Sequence, residues 1–137
     1  MAATFTMFGR AYLLSAVVTP DLFVAPTELH IALTNTVPTA NSTVSQLLEP
    51  AAPSYARQVY GVSSELWYPS GFGEYYNSAT ITYPMVTELW GRIAGWAAIL
   101  PDIDECLTVG SIDDPYQTIL GMVPRLDPGT VLLGIYD

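Results

Sequence analysis

The chain has 137 residues, half of them hydrophobic and only 12% charged, about half the charged share of an ordinary soluble domain. Such a length and apolar fraction exclude disorder and leave room for one core but not two. Four basic residues against thirteen acidic ones give a formal charge of −9, a field that repels phosphate and anionic lipid and so sets aside nucleic acid and membrane surfaces as partners.

Residues 5–18 are apolar with Arg10 among them. They are fewer than the roughly 20 residues a membrane-spanning helix needs and have no basic stretch ahead, so they read as neither anchor nor signal peptide. Phe5, Phe8, Tyr12, Leu13, Ala16 and Val17 recur at helical spacing, which predicts an amphipathic helix capped by Thr4 and ended at Pro20 and Asp21. Residues 27–34 alternate as a strand, with Leu29, Ile31 and Leu33 on one face and His30 on the other. Pro38, Pro50 and Pro53 make residues 35–54 a long loop with one helical turn near 44–48. Strand character resumes over 55–62. Residues 66–76 then gather Trp67, Tyr68, Phe72, Tyr75 and Tyr76 around Pro69, Gly71 and Gly73, an aromatic loop.

Residues 77–85 alternate again, and residues 89–100 are apolar on both parities, as in a central strand buried on each face. Further strands are predicted at 107–112, 116–123 and 130–136. Asp113, Asp114 and Pro115 mark one turn, and Asp127, Pro128 and Gly129 a type II turn. The fold expected is mainly β, an antiparallel β-sandwich or small jelly roll in one domain, with a helical segment over residues 1–20 and the sandwich over 21–137.

All four basic residues are arginines, Arg10, Arg57, Arg92 and Arg125, and lysine is absent. Solvated surfaces recruit lysine, whereas arginine suits buried and interface pairing. With so little charge, much of the outside is expected to be covered by other chains, as in an assembly subunit. The solitary Cys106 excludes an internal disulfide and reads as a small buried hydrophobe.

Several short strings carry a resemblance. Residues 29–34 (LHIALT) are followed by Pro38-Thr39, by Tyr55-Ala56-Arg57-Gln58, by residues 77–84 (NSATITYP), and by Trp90-Gly91-Arg92-Ile93 with Gly95-Trp96-Ala97. In this order, and with Asp127-Pro128-Gly129-Thr130 before the last apolar strand, they resemble a family of small virion proteins of tailed bacteriophages, minor tail or tail-fibre proteins. The resemblance implies a non-catalytic particle component, located in the virion at the tail, neck or fibre or as a head decoration. It implies partners among other virion proteins and copies of itself, no cofactor, and structural roles for Tyr55, Arg57, Asn77, Trp90, Gly91 and Trp96. The chain departs from the family pattern at residues 100–112, where a glycine-containing hairpin is expected and Pro101-Asp102-Ile103-Asp104-Glu105-Cys106 stands instead.

Other chemistry is thinner. Asp102, Asp104 and Glu105 form the densest acid cluster, with Asp113 and Asp114 nearby, and Asp102, Asp104, Asp113 and Asp114 are the weak candidates for a hard cation; but the sixth position from Asp102 is Leu107 where a calcium loop needs glycine, so a solvated acidic turn is preferred and no metal is assigned. His30 alone supports no nucleophilic triad and reads as a surface or interface residue. Glu65 and Glu74 flank the aromatic loop and keep open a small glycoside hydrolase, the least favoured reading. The same loop can instead be a sugar platform for a host surface glycan, in a carbohydrate- or receptor-binding domain. Protein contact is preferred for Trp67, Tyr68, Phe72, Tyr75 and Tyr76, because aromatic rings dominate interfaces.

Overall fold

The residues apolar on both parities form β7 (Arg92–Leu100), the centre of the computed structural model, which describes residues 3–71 and 73–134. Phe72 and the end of the last expected strand, Ile135 and Tyr136, lie outside the described residues. Every residue of β7 after Arg92 is buried. It lies between β2 (Glu28–Thr34) and β8 (Glu105–Gln117), and β3 (Gln58–Gly61) and β1 (Ala3–Phe5) complete an antiparallel sheet in the order β1-β8-β7-β2-β3.

Two small sheets lie beside it. One joins β4 (Trp67–Pro69), β5 (Tyr75–Asn77) and β10 (Leu132–Leu133), and the other joins β6 (Ile81–Thr82) to β9 (Arg125–Leu126). Leu29, Ile31, Leu33, Trp96 and Ala98 of the large sheet form one core with Trp67, Ile81, Leu126 and Leu132 of the small ones. On the opposite face Ala32, Ala97, Ile99, Cys106 and Val109 are covered by Val44, the first residue of the helical turn in the 35–54 loop, and Leu47, the residue that ends it. The molecule is therefore mainly β, an antiparallel sandwich with one substantial helix, α1 (Met7–Val18).

Several boundaries differ from the sequence reading, each for a local reason. The helix begins at Met7, not Phe5, because residues 3–5 pair with β8, Phe5 opposite Thr108. Thr6 rather than Thr4 then caps it: its Oγ1 accepts from the Gly9 amide at 2.9 Å and donates to the Cys106 carbonyl at 2.5 Å. The expected turn at residues 113–115 is a bulge inside β8. Ile93 pairs with Tyr116 and Gly95 with Ser111, so two steps of β7 face five of β8 and three residues are extra. Pro115 needs no ladder partner there.

The strand expected at 116–123 ends at Gln117, since Thr118, Gly121 and Met122 exchange backbone hydrogen bonds with Val86 and Gly91, and the Met122 amide turns back to the Ile119 carbonyl. The strand expected at 77–85 is reduced to Ile81–Thr82, with Asn77 drawn into β5. The aromatic loop is a hairpin, β4 paired with β5. The type II turn stands as expected, with Thr130 N–H bonded to the Asp127 carbonyl and Gly129 at φ +86°.

The departure at residues 100–112 also has a structural answer. Asp104 takes the left-handed conformation, φ 52°, that a glycine would occupy, and the β7–β8 turn closes without one.

Candidate interaction surfaces

The residues quoted for the resemblance are internal fastenings. Tyr55 and Arg57 meet on one carboxylate, Glu49 of the long loop. Arg57 holds it in a fork, Nε to Oε1 at 2.9 Å and Nη2 to Oε2 at 2.7 Å, and the Tyr55 hydroxyl donates to Oε1 at 2.8 Å. The Tyr55 ring lies edge-on to Trp90 at 5.3 Å and parallel to Tyr83 at 6.4 Å. Burial, with the Glu49 charge second, holds the Tyr55 hydroxyl far above its usual range, and burial does the same to Tyr83. Trp90 Nε1 donates to Ser54 Oγ at 2.9 Å, and the Gly91 carbonyl accepts from Thr118. Trp96 is fully buried, its ring packed where a side chain at residue 110 would stand.

Asn77, fully buried, ties the type II turn to β5. Its Nδ2 donates to the Ala79 and Asp127 carbonyls at 2.9 and 3.1 Å, and its Oδ1 accepts from the Val131 amide at 2.8 Å. Glu49 escaped the sequence reading because it sits in a proline-rich loop outside every quoted motif. Its one signal was an acid at the end of an otherwise uncharged stretch, within reach of an arginine.

The structure does not assemble the other candidates. Asp102 and Asp104 lie in the β7–β8 turn, where Asp104 is 3.8 Å from Arg57, while Asp113 and Asp114 lie on the bulge. Among the described residues no three His, Cys, Asp or Glu side chains come together. Glu74 is nearly buried and accepts a short hydrogen bond from Ser70 Oγ, whereas Glu65 is exposed. Cys106 is buried, and that burial, with Glu105 beside it, pushes its thiol up to about 12.

The aromatic hairpin divides. Trp67 is a correction: it is 6% exposed, packs edge-on against Tyr60 at 5.2 Å, and its Nε1 donates to the Gly61 carbonyl, so it is a core residue and not a surface anchor. Tyr76 is half-buried against the same core, and Tyr68 and Tyr75 are exposed. A cleft of about 460 Å³ beside Tyr75 is lined by Trp67, Pro69, Ser63 and Ser64.

Another apolar surface lies on α1. Only Gly9 of α1 is buried, and a side chain there would strike the Leu107 carbonyl. Leu107 is itself an extra residue, since Ala98 pairs with Thr108 and Ile99 with Cys106. Tyr12, Ser15 and Ala16 are half-buried, with the Tyr12 hydroxyl donating to the Val24 carbonyl at 2.7 Å and its ring 5.0 Å from Phe23. Outward, Met7, Leu14, Val17 and Val18 are 63–79% exposed, followed by Leu22 and Val24 at 80% and 77%. The expected face is only partly covered: Tyr12 and Ala16 are half-buried and Phe8 and Leu13 are 38–39% exposed, but Val17 points outward, and close backbone approach at Gly9 sets the side that docks. No helix among the described residues is long and apolar enough to cross a membrane.

A family model, Podophage GP4 fiber I protein gp80, matches residues 5–100. These residues run from β1 to the end of β7 and include α1, Glu49, Tyr55, Arg57, Asn77, Trp90, Gly91 and Trp96. The chain belongs to this family of tailed-phage, tail-fibre-like structural proteins. It is a virion protein and associates with other virion proteins. No curated protein matches it.

Proposed function

We propose that the chain is a non-catalytic tail-fibre subunit, one sandwich domain held in the particle through the apolar face of α1. The observation that carries this reading is the exposure of Met7, Leu14, Val17 and Val18 on a helix with no acid in its sequence. Exposed patches of this kind are covered by a partner. The fastened motif residues and the separation of the carboxylate candidates support a structural rather than a catalytic role. Leu14→Glu with Val18→Glu should strongly reduce incorporation into particles while circular dichroism of the subunit is unchanged. Normal incorporation of that variant overturns the reading.

A second surface, Tyr68 and Tyr75 on the hairpin with Tyr76 behind them, is a further protein contact or a glycan platform. The cleft beside Tyr75 offers an aromatic ring with Ser63 and Ser64 on an otherwise apolar wall of Val62, Pro69 and Leu133, so a glycan would be held chiefly by stacking on the ring. Host-surface polysaccharide should bind the purified chain and lose that binding in Tyr75→Ala. Binding unchanged in that variant removes the cleft as the glycan site.

A further inference from the structure

The far end of the sandwich carries a further uncovered apolar surface. β8 begins beside α1, with Leu107 against Gly9, and ends at Gln117, roughly 25 Å along the strand once the bulged residues are discounted. There residues 118–124 run antiparallel to residues 83–91. The Tyr83 amide donates to the Pro124 carbonyl, Val86 to Met122, Gly121 to Val86 and Thr118 to Gly91. Tyr83, Val86, Trp90 and Thr118 turn inward and are buried, which fixes both loops to the core. Other side chains turn outward: Met85, Leu89, Ile119, Leu120 and Val123 are 46–63% exposed. Large apolar groups left open on a rigid support are what a partner covers, and little ordering cost attends binding there.

No charge falls within residues 115–124 or 83–87, and the charges at the border are mostly of one sign. Glu88, Asp113, Asp114 and Asp127 stand there against Arg92 and Arg125, and Arg125 already lies 3.3 Å from Asp127. A hollow of about 230 Å³, lined by Tyr116, Met122, Val123 and Pro124, has room for an apolar side chain. Across Tyr116 and Arg125 a second hollow of about 380 Å³ is bordered by Asp113, Asp114 and Asp127. An apolar residue seated in the first sets a neighbouring cation in the second, beside the Tyr116 ring and the carboxylates.

This charge decides between occupants. A second copy brings the same carboxylates against one another, on a chain already at −9. A glycan is held by ring faces and polar groups, and the five exposed side chains offer neither. We propose that residues 83–91 and 118–124 form a docking end for another virion protein, which enters through a segment with an apolar residue beside lysine or arginine. With α1 at the opposite end, the subunit is a link between two neighbours rather than a tip. The link, though not the docking end, rests on the reading of α1 as the attachment face.

The test is made on whole particles. Ile119→Glu with Leu120→Glu should leave this chain in the particle, and its circular dichroism unchanged when purified, while mass spectrometry shows another virion protein reduced about tenfold or more. Asp113→Asn with Asp114→Asn should reduce the same protein. The chain contains no lysine, so carbodiimide coupling of its carboxylates to a lysine side chain always joins it to a different protein. A peptide cross-linked at Asp113, Asp114 or Asp127 then names the partner.

Unchanged composition of the Ile119→Glu, Leu120→Glu particles overturns the proposal, and if those particles also fail to adsorb to host cells, a host glycan is the occupant. Self-association of the purified chain that is lost in that variant and strengthened by Asp113→Asn with Asp114→Asn shows a second copy at this end and overturns it as well. Loss of the chain itself from the particles, with its fold unchanged, supports the docking end. Where the Leu14→Glu, Val18→Glu chain is still incorporated, the docking end stands and the reading of α1 falls.

Discussion

Glu49 shows how much one unremarked side chain can hold. Its carboxylate receives two bonds from Arg57 and one from Tyr55, and it is mostly buried. Removing one partner of such a set leaves the others without an acceptor, at roughly 1.5–3 kcal/mol for a bond to a charged group. Glu49→Ala should therefore lower the urea midpoint by an amount equivalent to about 2–3 kcal/mol with an unchanged slope. Asn77→Ala strands three backbone partners in the core and should cost on the order of 3 kcal/mol or more in the same measurement.

The buried phenols add a pH dependence whose sign follows from their direction of shift. Tyr55 and Tyr83 hold their protons in the folded chain well above the ordinary value of 10.0, and the unfolded chain releases them there. Their contribution is complete below pH 10 and declines as pH rises above it, by about 1.4 kcal/mol per pH unit for each group. Spectrophotometric titration should show these phenols ionising only as the fold is lost.

Among the elements, α1 is decided at Gly9. Alanine favours a helix by about 1 kcal/mol over glycine, yet here the added carbon meets the Leu107 carbonyl, a backbone atom that cannot swing away. Gly9→Ala should lower the thermal midpoint, with a cost of about 1–3 kcal/mol as in other overpacked sites. A raised midpoint would show that the helix stands off the bulge.

The sequence made β7 legible because burial on both sides leaves a mark on both parities, and the Asp127-Pro128-Gly129 turn because only glycine is at ease at its third position. It could not separate Asp113-Asp114-Pro115 as a turn from the same residues as a bulge, since both need a break in the ladder and both tolerate proline. It misplaced Trp67 for a similar reason: a tryptophan near glycines has the composition of an anchor, and only Tyr60 and the Gly61 carbonyl reveal it as core. The α1 face was hidden in plain composition. Spacing alone selects one apolar stripe, whereas Met7, Leu14 and Val18 carry the apolar surface onto the exposed side as well.

At the scale of the whole molecule, acidity and an uncovered apolar helix pull in opposite directions. Screening shortens the reach of the repulsion, from about 30 Å at 0.01 M salt to about 8 Å at 0.15 M. Self-association should therefore strengthen over that range, whereas an interface held by ion pairs would weaken. Sedimentation at the two concentrations reads the difference directly.

The pairing of β1 with β8 has a consequence in time as well as space. Ala3, Thr4 and Phe5 find their partners only at Gly110, Val109 and Thr108, about a hundred residues later in the chain. At roughly 5–20 residues per second, ribosomal synthesis leaves the first strand and helix waiting some 5–20 seconds without a sheet to dock on. Throughout that interval the side of α1 that Gly9 later seats on the Leu107 bulge is open as well, so the helix is exposed all round until residues 105–117 arrive to cover it.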